Sequence, residues 1–168
     1  RDLEDIFAVQ DEIALLIANK LRENFDKPPS EGIRESGPTE NLEAYELYLK
    51  GQHFLWKGSI ESIKSAVRFF EEAVEMAPNF ALSYAGLSSA HLFIAAFRID
   101  DPMLAGEKAK QYALQALKLD DNLPETHLAL ARIQMWTTWD LQAAKLSMAR
   151  ALQLGPGSAE VHATQSHV

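Results

Sequence analysis

Three stretches of this chain end in the same pattern, and that pattern restricts the fold more than any other feature. They are Ala66-x3-Phe70-x2-Ala73-x4-Pro78, Ala109-x3-Ala113-x2-Ala116-x4-Asp121 and Ala144-x3-Met148-x2-Ala151-x4-Pro156. An alanine early in a helix lets a preceding helix approach closely, and a second alanine seven residues on faces whatever follows. A proline just past the helix end stops it and sets the turn. Ala73 and Ala116 are 43 residues apart and Ala116 and Ala151 are 35 apart, against a helical-hairpin period of about 34. The middle unit therefore carries an insertion. Each ending follows an amphipathic segment with apolar residues three and four apart, and strand signals are scarce, so the class is all-α. The expected units are residues 41–79, 80–123 and 124–157, with 158–168 beginning a capping or fourth-repeat helix.

Upstream, Leu3, Ile6, Val9, Ile13, Leu16, Ile17 and Leu21 make one apolar stripe, which predicts a separate amphipathic helix over 1–25. Asp2, Glu4 and Asp5 suit the positive end of its dipole. Residues 26–40 hold three prolines and two glycines and are expected to be a linker. The chain starts at Arg1 in acidic helical sequence, so no signal peptide is expected and the start is taken as a domain boundary.

At 168 residues and 47% hydrophobic content the chain can bury a sizeable core. Its longest apolar stretch, Leu92 to Phe97, is far short of the roughly 20 residues that span a membrane. A net charge of −8 repels phosphate backbones and anionic lipid, so neither nucleic acid nor membrane is an expected partner. With no cysteine there is no disulfide, thiolate metal site or cysteine nucleophile. A cytoplasmic location is expected.

The repeated endings resemble the tetratricopeptide repeat family. Tyr84-x2-Leu87-Ser88-x2-His91 and His127-x2-Leu130-Ala131-x2-Gln134 keep the family's leucine followed by a small residue, and Leu47-x2-Lys50-Gly51-x2-Phe54 keeps its glycine and aromatic. Asp121 stands where the family has proline, and polar residues replace the usual aromatic. The resemblance implies a right-handed superhelical array of about three helix-turn-helix hairpins. A narrower resemblance rests on LEDIFAVQDEIA at 3–14, NLEAYELYLKG at 41–51 and TWDLQAA at 138–144. Those runs are similar to the carboxy-terminal part of bacterial signalling proteins that join a cyclase, winged-helix or kinase domain to a helical-repeat tail.

In the family, the first helices of successive hairpins line a concave groove. The matching positions here are Tyr45, Tyr48, Gln52, Leu55 and Trp56, then Leu82, Ala85, Ser89, Leu92 and Phe93, then Glu125, Leu128, Arg132, Met135 and Trp136. That groove is aromatic and apolar with Arg132 as its cation, which suits an apolar peptide or helix as partner. The family's carboxylate clamp for acidic chaperone tails has no counterpart, because its positions hold Tyr48, Gln52, Gly86, Glu125 and Ala129. Large residues at hairpin tips, such as Trp56, Phe93 and Trp136, more often seal hairpins than bind ligands. The insertion is placed between Phe93 and Pro102, where it lengthens the connection inside the second hairpin; with Ile94, Phe97 and Ile99 as an extended helix or an apolar lip beside the groove, it is a second candidate site.

His127 and His162 occupy equivalent places, with His167 five residues on, but the spacing matches no ligand motif, and packed imidazoles are expected with no metal or other cofactor. Glu71-Glu72 and Asp120-Asp121 belong to a solvated face and a turn, and Asp101-Pro102 to a helix start. No nucleophile elbow, phosphate loop or catalytic carboxylate pair is present, so the chain is not expected to be an enzyme. The leading expectation is a peptide- or protein-binding module of a larger signalling protein. The alternative is a structural module that packs against an upstream domain or forms a homodimer through the 1–25 helix.

Overall fold

The computed structural model describes residues 41–157, which form six α-helices with no strand among them. The expected helix at 1–25, the linker and the segment 158–168 lie outside the described residues. The helices are α1 (Leu42–Lys57), α2 (Ile60–Met76), α3 (Ala81–Ala96), α4 (Pro102–Leu119), α5 (Pro124–Trp136) and α6 (Leu141–Leu154).

Local chemistry sets their ends. The side chains of Asn41, Ser59, Asp101 and Asp140 accept backbone N–H bonds at the starts of α1, α2, α4 and α6, each such cap contributing about 1 kcal/mol. Proline occupies the first turn of α4 and α5, where a missing N–H costs nothing. Gly58 closes α1 in the left-handed region at φ 69°.

Short connections pair the helices as α1 with α2, α3 with α4 and α5 with α6, and these pairs are the most extensive contacts. Successive pairs then stack. Contacts also join α1 to α3 and α3 to α5, whereas the backbones of α2 and α4, or of α4 and α6, stay further apart within the described residues. The odd-numbered helices therefore form one layer, backed by the even-numbered ones. The alanines of the repeated endings (Ala66, Ala73, Ala109, Ala113, Ala116, Ala144 and Ala151) are all buried, as are Phe70 and Met148 between them. Removing the side chain beyond Cβ is what allows the helices to meet there.

Phe70 is the tightest contact. Its ring is fully buried, and a Cβ added at Gly51 in α1 would lie 2.5 Å from it, one at Gly86 in α3 2.6 Å. Glycine costs a helix about 1 kcal/mol relative to alanine, so both positions give up propensity to admit one ring from α2. Tyr48 and Phe80 complete the cluster, with ring centroids 5.9 Å (Tyr48–Phe70) and 5.6 Å (Tyr48–Phe80) apart.

The insertion in the middle unit is spread along it. α3 has 16 residues against 13 in α5, α4 has 18 against 14 in α6, and the connection of residues 97–101 is one longer than that of 137–140. The sequence reading placed the extra length in the connection; most of it is an added turn on each helix. Ile94 is buried and Ile99 packs on the core, which leaves Phe97 as the exposed part of the expected lip.

His91 in α3 is 6% exposed and stacks on Tyr112 of α4 at 5.4 Å. Burial, and then the Lys108 ammonium, push its pKa down to about 4 against the opposing pull of Asp100.

Two outcomes follow from this packing. Gly51→Ala and Gly86→Ala should each destabilise by about 1–3 kcal/mol through overpacking, and Phe70→Leu should partly offset either one, giving non-additive free energies in chemical denaturation; strict additivity would contradict the shared contact. For His91, the unfolded imidazole titrates near 6.5 and the folded one near 4. Below about pH 6.5 the unfolded chain takes a proton that the folded chain refuses, so stability falls as pH drops through that window. At about 1.4 kcal/mol per unit, the loss is up to roughly 3 kcal/mol by pH 4. His91→Phe should have a correspondingly flatter stability profile between pH 6.5 and 4, and parallel profiles would refute this assignment.

Candidate functional site

The layer of α1, α3 and α5 encloses a cavity of about 200 Å³ lined by Gln52, Leu55, Trp56, Gly58, Phe93, Phe97 and Arg132. Helical spacing explains the lining. Gln52 and Trp56 are one turn apart on α1 with Leu55 between them, and Phe93 lies one turn before Phe97, their rings stacked at 6.0 Å and 14°. Arg132 reaches the cavity from α5. Gly58 joins the lining from the left-handed turn after α1, where a Cβ would meet nothing within 4 Å.

Five residues expected in the groove thus come together here: Gln52, Leu55, Trp56, Phe93 and Arg132. The others are distributed differently. Tyr48, Leu92 and Met135 are buried, as are Ala85 and Leu128, so they belong largely or wholly to the packing between helices. Tyr48 faces Phe70 and Phe80, and its hydroxyl accepts from Gln52 Nε2 at 2.9 Å, which orients the carboxamide at the cavity edge. Tyr45 and Leu82 are half-buried against the first core cluster, and Ser89 and Glu125 are half-buried outside the cavity lining. Trp136 lines a second cavity of about 430 Å³ with Leu92, Ala95, Ala96, Pro102, Met103, Gly106, Thr137 and Trp139.

Sequence reasoning missed Gly58, Met103 and Trp139. Met103 and Trp139 sit at a helix start and a turn, outside the positions that a helical face supplies. A signal was nonetheless present: the chain's three tryptophans, Trp56, Trp136 and Trp139, all fall beside a hairpin connection.

The first cavity offers aromatic and aliphatic walls, a carboxamide and a guanidinium. Its lining residues include no nucleophile and no group that titrates near neutrality. Such walls hold apolar side chains by burial and stacking, and the guanidinium adds a directional bond to a carbonyl or carboxylate. Among the candidate metal residues, His127 Nε2 lies 2.8 Å from the Asp121 carbonyl oxygen, while His162 and His167 lie outside the described residues. No cluster of three or more metal-ligating side chains occurs among the described residues, and no helix there is long and apolar enough to cross a membrane.

No family model matches the chain. It is similar to the transcriptional regulator HilA of Salmonella typhimurium, with 29% identity over 126 residues, which covers 73% of this chain and 23% of HilA. It is also similar to a protein of Rhizobium meliloti named "Putative adenylate cyclase 3", with 33% identity over 138 residues, covering 81% of this chain and 23% of that protein. The chain thus spans less than a quarter of the length of these curated relatives, and one helical region recurs in larger proteins whose names denote regulation and signalling.

Proposed function

We propose that this chain is a tetratricopeptide-type interaction module of a larger regulatory or signalling protein, and that it binds an apolar peptide or helix in the cavity formed by α1, α3 and α5. One observation carries the reading: Trp56, Phe93, Phe97 and Arg132, drawn from three separate helix pairs, converge on one cavity. A stacked frame built only to hold itself together has no need to leave Trp56 and Phe97 exposed beside such a cavity. The repeated Ala-x3-Φ-x2-Ala endings, all buried in equivalent places, support the repeat assignment. The similarity to a cyclase-named protein and a transcriptional regulator supports a module that serves different outputs, and binding without catalysis suits lining residues of these types.

The ligand segment would present one or two large apolar side chains to Trp56 and Phe97, and a backbone carbonyl or carboxylate to Arg132. Panning a random dodecamer phage library on the full chain should enrich peptides that share an apolar anchor. Their Kd should be on the order of 10 μM, about −7 kcal/mol. Trp56→Ala should weaken them at least tenfold, the scale of an aromatic anchor, and Arg132→Ala severalfold, with helicity unchanged. Enriched peptides indifferent to both substitutions, or no enriched consensus, would refute the reading.

A further inference from the structure

We propose that the connections of the second and third helix pairs form a self-association surface, in which Trp139 of one copy packs into the apolar cavity beside Trp139 of a second copy. This surface is separate from the proposed peptide cavity.

Trp139 is held outward at a cost. It sits at φ 56° in the left-handed region, which is about 1–2 kcal/mol unfavourable for a residue with a Cβ and uncommon for a bulky one. The turn is fastened around it. Thr137 and Thr138 N–H donate to the Ile133 carbonyl at 2.8 and 3.3 Å, and Asp140 N–H donates to the Gln134 carbonyl at 2.8 Å. Asp140 then caps α6 through Ala143 N–H at 3.0 Å. The result is an indole 78% exposed to solvent, the opposite of what a packing role would give. Strain maintained to expose a large apolar side chain points to a contact that the described residues do not supply.

Beside it lies the cavity of about 430 Å³ lined by Leu92, Ala95, Ala96, Pro102, Met103, Gly106, Trp136, Thr137 and Trp139. None of these residues is charged. A protruding apolar group next to an apolar recess is a self-complementary arrangement, as a two-fold contact requires, because each copy supplies both parts.

The exposed area is also of the right order. Of the cavity's lining, Met103 is 79% exposed, Trp139 78% and Trp136 44%. At roughly 200 Å² for a side chain of this size, these three leave about 400 Å² of apolar surface. The smaller stable interfaces take roughly 600 Å² per partner, a little over half of it apolar.

Electrostatics give the association a sign that can be read. Each full chain carries −8, so two copies repel at long range while the contact itself is uncharged. Added salt screens the repulsion and leaves the apolar contact intact, so association strengthens with salt. A contact made through ion pairs would weaken instead.

Sedimentation velocity of the full chain from about 5 to 500 μM, at about 50 and 500 mM sodium chloride, tests this. The wild type should form dimers with a Kd on the order of tens of micromolar, tighter at the higher salt. Trp139→Asn, which tolerates the left-handed region, should be monomeric throughout with a melting temperature equal to or above that of wild type. Met103→Glu, on an exposed first turn, should weaken dimers at least tenfold and serves as an independent check on folding. Trp56→Ala should leave dimers intact, so a failure of the peptide-cavity reading is distinguishable from a failure here. A wild type that stays monomeric at 500 μM, dimers unaffected by both Trp139→Asn and Met103→Glu, or dimers that salt dissociates would overturn the proposal.

Discussion

The packing of one phenylalanine ring against two helix backbones sets the geometry from which the rest of this structure follows. Phe70 projects from α2 into the space where Gly51 of α1 and Gly86 of α3 have no side chain. That contact does two things together. It closes the first helix pair, and it draws the next pair against it, because the same ring touches both. With α1 and α3 held side by side, Trp56 and Phe93 come to face a common space, and α5 completes the wall with Arg132. The cavity is thus a consequence of how the pairs stack.

Much of the frame was legible because it depends on residue size at fixed spacing. The buried alanines at 66, 73, 109, 116, 144 and 151, the Asp101-Pro102 helix start and the break near Pro78 each leave a direct mark in the sequence. The role of Gly86 was not legible in this way. It holds one of the family's clamp positions, so it was read for a missing cation, while its contact with a ring sixteen residues earlier exists only once the pairs are stacked. The insertion was misplaced for a similar reason, since Ile94 and Ile99 are equally compatible with a loop lip and with longer helices. Ile94 is buried within α3, while Ile99 packs half-buried on the core from the connection itself.

The cavity was legible in part. Matching to the groove positions of the resembled repeat family picked out Gln52, Leu55, Trp56, Phe93 and Arg132, which the cavity lining contains. It could not separate Tyr48 and Met135, which turn into the interior, from neighbours that stay at the surface: a helical face is wide, and a few tens of degrees decide between the two. Trp139 lay outside any such rule. Its placement depends on a strained turn, and strain of that kind is a property of the folded connection and leaves no period in the sequence. The same connections leave Met103, Trp136 and Trp139 with exposed apolar surface.

If Phe70 couples the first two helix pairs, they open as one unit, and native-state hydrogen exchange measures this directly. The account predicts that the most protected amides of α1 and α3 share one opening free energy and that Phe70→Leu lowers both by the same amount. Protection lost from α1 alone, with α3 unchanged, would contradict it.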